Sequence, residues 1–195
     1  MKFNFSKSYN LSRPYIAILI VIFLWDILIF LTPFLESSEQ HALYSFFSYF
    51  CHQIPLRSLT PYDVTFGVVK NFHTFPVCAR DFAFYLFMLI GVVVFPAIRK
   101  TNSKEIPNIW WLIIAAVPMA IDGGTQLLGL RESTNLLRVI TGAILGFVCA
   151  YYLIPLVNIF TDAFKERFTK KEKFTKKSRG YTKIGKKEKK KGLIK

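Results

Sequence analysis

Residues 82–98 read FAFYLFMLIGVVVFPAI, an apolar run without a charged side chain, closed by Arg99 and Lys100. Such a run approaches or meets the ~17–25 residues that carry a helix through bilayer hydrocarbon. The chain has 195 residues, 52% of them hydrophobic and 16% aromatic. A soluble domain of that size has too little polar surface to cover so much apolar content. The sequence therefore reads as an all-α membrane protein, and the other spans follow outward from the quoted run. Upstream, residues 15–32 form a span preceded by Lys2, Lys7 and Arg13 and broken by Pro33. Downstream, 109–130 opens on Trp110 and Trp111 at an interface, and 135–160 follows with Ser133 or Thr134 placed to cap it. These make about four transmembrane helices. The first run is longer than a signal peptide's apolar region and lacks a small-residue cleavage site, so it reads as a retained anchor.

The formal charge of +14 is a property of the tail. Residues 162–195 hold 15 Lys or Arg against 4 Asp or Glu, which accounts for +11 of it. The chain thus divides into a four-helix transmembrane domain, 1–161, and a disordered basic tail, 162–195. Short basic flanks face the cytoplasm. With four spans, the N-terminal segment, the Arg99–Lys104 loop and the tail share that side, which makes the protein multi-pass in the cell membrane with both termini cytoplasmic. The expected partners are the lipid bilayer and, through the tail, anionic lipid headgroups at roughly 1 kcal/mol per basic residue. Lysine-rich tails bind polyanions without specificity, so no specific nucleic acid is expected.

The loops at 36–81 and 131–134 then face outward. The longer one is unusually apolar: 42–50 reads ALYSFFSYF, with more apolar residues at 66–69 and 72–77. It is expected to lie in the interface or to re-enter the bundle.

Ionisable groups inside spans are costly and usually serve a purpose. Asp122 lies in the outer half of the third span, and Gln126 shares its helical face at i+4. Pro118 precedes Asp122 by one turn, where it bends the helix or frees a carbonyl. On the fourth span Asn135, Arg138 and Gly142 share a face that Gly146 continues, and the Gly142-x-x-x-Gly146 spacing permits close helix approach. Between these helices lies Arg131-Glu132-Ser133-Thr134-Asn135. Two readings stand side by side. Asp122 pins the helices through an ion pair with Arg131 or Arg138, or the arginines and the start of the fourth helix face a phosphate or carboxylate. Asp26 in the first span reads as a hydrated or helix-paired carboxylate.

A second constellation is Cys51-His52-Gln53 with Cys78-Ala79-Arg80-Asp81. Cys51, His52, Cys78 and Asp81 are a four-ligand set for zinc or another transition metal. A disulfide between Cys51 and Cys78 is the second reading, and plain packing of two small apolar side chains the third. His73 reads as an incidental loop residue and Cys149 as a packing residue.

Taken in order, Cys51-His52-Gln53, Arg57, Pro76-Val77-Cys78-Ala79-Arg80, Asp122-Gly123-x-Thr125-Gln126 and Arg131-Glu132-Ser133-Thr134-Asn135-x-x-Arg138 resemble the prokaryotic membrane proteins grouped as domain of unknown function 2085. The resemblance covers roughly residues 46–146. That family commonly has cysteine where Asp81 stands here, which weakens a three-cysteine zinc site. The family name implies no activity. A fainter similarity to VanZ-like membrane proteins implies a lipid-linked or cell-envelope role, by analogy only.

Both constellations fall on the outer side. The leading expectation is one outward pocket for a polar or anionic headgroup, with Arg57, Arg80, Gln126, Arg131, Asn135 and Arg138 as ligand-binding residues. A metal at the cysteines is its optional partner, and Asp122 is the candidate base if the site is catalytic. No nucleophile elbow, Walker loop or HExxH motif supports a named enzyme class. The alternative is a non-catalytic membrane subunit or transporter-like protein whose polar residues fix helix packing and whose Cys51 and Cys78 form a disulfide.

Overall fold

Glycine spacing decides how the longest helices of this chain meet. The computed structural model describes residues 11–35, 37–67 and 73–192, with the side chains of Ser37 and of 170–192 left out of the description. Lys2, Lys7, Val68, Val69 and Phe72, which entered the reading above, lie outside it. The order is α1 (Arg13–Leu31), a 3-10 turn (Thr32–Phe34), α2 (Ser37–Phe47), a second 3-10 turn (Pro55–Arg57), α3 (Pro61–Val64), α4 (Ala79–Ile98), α5 (Ile109–Leu127) and α6 (Asn135–Gly192). No strand occurs among the described residues.

In α6, Gly142 and Gly146 lie directly against the backbone carbonyls of Arg80 and Phe84, one turn apart on α4. A methyl group at either glycine would collide with that backbone, so the expected close approach is made and its partner is α4. One turn-pair further along, Gly91 of α4 lies against α6, where an added Cβ would sit 2.7 Å from the Ala150 methyl. The two helices therefore touch along their length with little side-chain padding. α1 packs on both through Tyr15, Ile18 and Ile22 against Val92, Phe95, Ala150 and Ile154, and the Tyr15 hydroxyl donates to the Val92 carbonyl at 3.0 Å.

Most of the apolar stretch at 42–50 lies in a helix, α2, folded back onto the bundle. Phe47 is fully buried with Ile29, Phe75, Val77 and Phe82, and Trp25 of α1 meets Phe46, Phe47, Phe50 and Tyr85 edge-on. At the other end, the Asn158 amide donates to the carbonyls of Thr101 and Ser103 at 2.9 and 3.0 Å and ties the α4–α5 loop to α6.

Among the described residues, three helices are long and apolar enough to cross a membrane: Arg13–Phe34, Ala79–Ile98 and Asn135–Thr169. The third expected span is not among them. Asp122, Thr125, Gln126 and the two tryptophans dilute the apolar run of α5, which also stops early, at Leu127. Gly129 ends it at φ +69, and the amide of Leu130 reaches back to the Thr125 carbonyl at 3.0 Å, a Schellman closure. At the start of α6 the capping role falls to Thr134, whose hydroxyl accepts from the Leu137 amide at 3.3 Å. The tail differs from the disordered segment expected of it: α6 continues unbroken to Gly192. It contains no proline after Pro155, and its Lys and Glu residues extend a helix that is already nucleated.

Substituting Gly142→Ala should lower detergent-solubilised stability by about 1–3 kcal/mol through overpacking. Gly124→Ala, where nothing lies within 4 Å of the added methyl, should be neutral or slightly stabilising. Thermal unfolding of the two variants side by side checks the contrast.

Candidate functional site

The start of α4, the end of α5 and the start of α6 meet at one end of the bundle, beneath the segment that follows α2. Because Gly142 lets the backbone at Arg80 settle onto α6, the Arg80 side chain is aimed across at α5. There Asp122 is 1% exposed and holds two guanidiniums. Its Oδ2 accepts from Arg80 Nη2 at 2.5 Å and its Oδ1 from Arg131 Nη2 at 2.9 Å. Gly123 makes room for this, since a Cβ there would sit 3.1 Å from Arg80 Nη1. Of the two ion-pair partners expected for Asp122, Arg131 is one and Arg138 is not. Arg80 takes that place because α4, not α6, presents a cation at this height.

A second carboxylate, Glu132, closes the network. Its Oε1 accepts from Arg57 Nη2 at 2.9 Å and its Oε2 from Gln126 Nε2 at 3.1 Å, while Arg80 also donates to Gln126 Oε1 at 3.4 Å. Arg138 is 3% exposed. It donates to Asn135 Oδ1 at 2.7 Å, and its Nη2 lies 3.7 Å from Glu132 Oε2. Glu132 was missed as a site residue. The signal available was its place as the sole acidic residue of the 131–134 turn, beside Arg131.

The cysteines lie on the adjoining wall. Cys51 Sγ accepts from the Cys78 backbone N–H at 3.2 Å, and the Cys78 thiol donates to Asp81 Oδ2 at 3.2 Å. Both thiols are free, so the disulfide is not formed in this structure. Interaction between the two thiols lowers Cys51 to about 7, while that same side-chain interaction, burial and the Asp81 charge push the Cys78 thiol up. One potential ligand atom each from Cys51, Cys78 and Asp81 lies within 4.8 Å of the others. Tetrahedral zinc with sulfur at ~2.3 Å spaces its ligands about 3.8 Å apart, so these donors fit with small adjustments and leave one position open. His52 does not join them. It follows Cys51 in an irregular stretch, where successive side chains point to different sides, and it is exposed.

One cavity of about 490 Å³ is lined by members of both groups: Cys51, His52, Cys78 and Asp81 on one side, Arg57, Arg80, Gln126 and Arg138 on the other, with Phe50, Ile54, Met119, Gly123 and Leu127 between. Asp122 and Asn135 stand behind that lining as partners of Arg80 and Arg138, and Arg131 lies one step further back, bonded to Asp122 and Thr125. Asp26 is separate. It sits in an apolar groove with Phe23, Phe30, Phe82 and Leu86, and its buried Oδ2 has no hydrogen-bond partner among the described residues.

Apolar helices of membrane-spanning length around a polar end-cavity define a helical membrane protein. A family model described as "Predicted membrane protein (DUF2085)" matches residues 51–152, which include every residue of the cavity lining except Phe50, and the chain belongs to this family. It is 41% identical over 155 residues to an uncharacterized protein of Methanocaldococcus jannaschii, covering 75% of this chain and 94% of that one. It is also 33% identical over 100 residues to an uncharacterized protein of Methanothermobacter thermautotrophicus, covering 49% of this chain and 77% of the relative. No solved structure matches the chain.

The Arg80–Asp122 pair should dominate the network energetically, because Arg131 is nearly half exposed and surface pairs contribute about 0–1 kcal/mol. Asp122→Asn strands Arg80 and should cost about 3 kcal/mol. The double variant Asp122→Asn/Arg80→Gln should cost less than the sum of the two single variants, as a double-mutant cycle in detergent would read out. Additive costs would mean the pair is not coupled.

Proposed function

We propose that this chain is a four-crossing protein of the cell membrane, with both termini cytoplasmic, whose outward-facing cavity binds a polar or anionic headgroup from a lipid-linked or envelope molecule. α5 serves as the fourth crossing: its exposed face carries Ile109, Ile113, Ile114, Val117 and Ile121, side chains suited to lipid rather than water. Four crossings put the basic Arg99–Lys104 loop and the basic extension of α6 on one side, the cytoplasmic one. The cavity end is then outside. The extension can hold anionic lipid headgroups at the inner surface.

The observation that carries the ligand reading is Arg138. It is a nearly buried cation on the cavity wall, satisfied by one amide, and the carboxylate paired with it stands off at 3.7 Å. Arg57, Arg80 and Arg138 line the cavity with Asp81, while Asp122 and Glu132, the carboxylates beside these arginines, stand outside the lining, so positive charge predominates on the wall itself. An anion arriving there completes the coordination of Arg138 and balances that charge. Cys51, Cys78 and Asp81 offer donors for a zinc or other transition-metal ion whose open position would face the same ligand. Asp122, locked between two arginines, serves the site by orienting them.

In purified protein, inorganic phosphate should raise the unfolding temperature in a saturable manner, and Arg138→Met should abolish the effect while remaining folded. Equal stabilisation of the variant would remove Arg138 from the site. No stabilisation of the wild type by phosphate, or by any alkyl phosphate, would end the anion reading.

A further inference from the structure

The cavity is polar at one end and apolar at the other, and it opens between two helices that barely touch. α4 and α5 each pack on α6 but not appreciably on one another. What joins them is the side-chain bridge from Arg80 to Asp122 and Gln126. The cavity occupies the gap that this bridge spans. Along α5 its wall is Met119, Gly123 and Leu127, successive positions of one helical face. Eight residues of helix correspond to about 12 Å, so the wall descends from the polar end of α5 to a depth one turn below Asp122. Arg57, Arg80 and Arg138 all line the cavity, Arg80 reaching across to Gly123, and Met119 lies one turn deeper along α5.

We infer that the ligand is an alkyl phosphomonoester, seated with its phosphate among Arg57, Arg80 and Arg138 and its chain running down α5 past Gly123 and Met119. It would enter sideways from the bilayer, through the gap between α4 and α5. The inference rests on the anion reading of the same cavity and adds the class of ligand. Three planar guanidiniums lining one cavity match the three terminal oxygens of a phosphomonoester, whereas a carboxylate offers two. A freely soluble anion has no use for the apolar descent along α5. A chain that leaves the polar end beneath the Arg80–Asp122 bridge uses both halves of the cavity. Gly123 admits the Arg80 guanidinium, which lies over it, so the chain passes beside that group on its way to Met119.

The test compares inorganic phosphate, octyl phosphate below its micelle concentration, and octanoate, each titrated into the full-length protein in detergent. Octyl phosphate should bind about tenfold tighter than inorganic phosphate or better, since burial of about two methylenes already supplies that factor. Octanoate should bind more weakly than octyl phosphate. Arg138→Met should lose both phosphates, whereas Met119→Gln should lose only the advantage of the octyl chain. Met119→Ala, a smaller change at the same depth of the cavity lining, provides the same readout if the glutamine variant does not fold. Equal affinity for inorganic and octyl phosphate, or an octyl advantage untouched by the Met119 substitutions, would overturn the lateral-chain inference and leave the anion site standing. Octanoate binding as tightly as octyl phosphate would overturn the phosphate class. Binding of none of the three would remove the anion site itself.

Discussion

The contact of Gly142 and Gly146 with the α4 backbone at Arg80 and Phe84 is the constraint on which the rest of the molecule depends. Inside a membrane there is little hydrophobic drive to bring helices together, so close packing of small residues has to supply the adhesion. Here the same contact has a second consequence. It fixes the height and direction of Arg80 at the first turn of α4, and Arg80 is the group that reaches α5. Without the glycines, α4 would stand off from α6 and Asp122 would lose its main counter-charge. The packing device and the polar site are thus one arrangement. α1 and α2 complete it from the other side, with Trp25 and Phe47 filling the space that the close α4–α6 pair leaves open.

The polar network obeys the cost of charge in a low-dielectric setting. A lone aspartate on α5 would be expensive to bury, and two guanidiniums offset that cost. Their contributions differ: Arg80 is about 15% exposed and Arg131 about 45%, so water screens the second far more than the first. Glu132 is mostly exposed and holds Arg57 and Gln126 more by geometry than by strength. Arg138 is the exception, deep in the wall with its carboxylate partner at a loose distance. That imbalance, rather than the presence of arginines as such, makes the end of the bundle look like a receptor for an anion.

Much of this was legible in the sequence, and what was not has physical reasons. The run at 82–98 and the first and last spans announce themselves by length and composition, and the glycine spacing on α6 announces a close partner without saying which helix. Asp122 with Arg131 was readable because the two lie within one helix end and its turn. Arg80 with Asp122 was not, because 42 positions separate them and only the α4–α6 contact brings them together. His52 looked like a ligand by adjacency to Cys51, yet adjacency in an irregular stretch turns side chains apart. α5 sits at the border of spanning hydropathy because it carries the polar groups of the site. The basic tail was read by charge as a solvated coil, but a helix already propagating from the membrane span needs no new nucleus to continue.

The central claim is that the segment following α2 closes over the α5–α6 turn, so that the cysteine group and the arginine group share one cavity. Arg57 and Glu132, paired at 2.9 Å, mark that closure. The most direct measurement places cysteines at both positions, Arg57→Cys and Glu132→Cys, in a chain whose native cysteines are serine, and treats membranes with a bifunctional thiol reagent about 10 Å long. The account predicts an intramolecular cross-link in the double variant that neither single variant gives. Two cysteines that each react with a monofunctional reagent but never cross-link would contradict it.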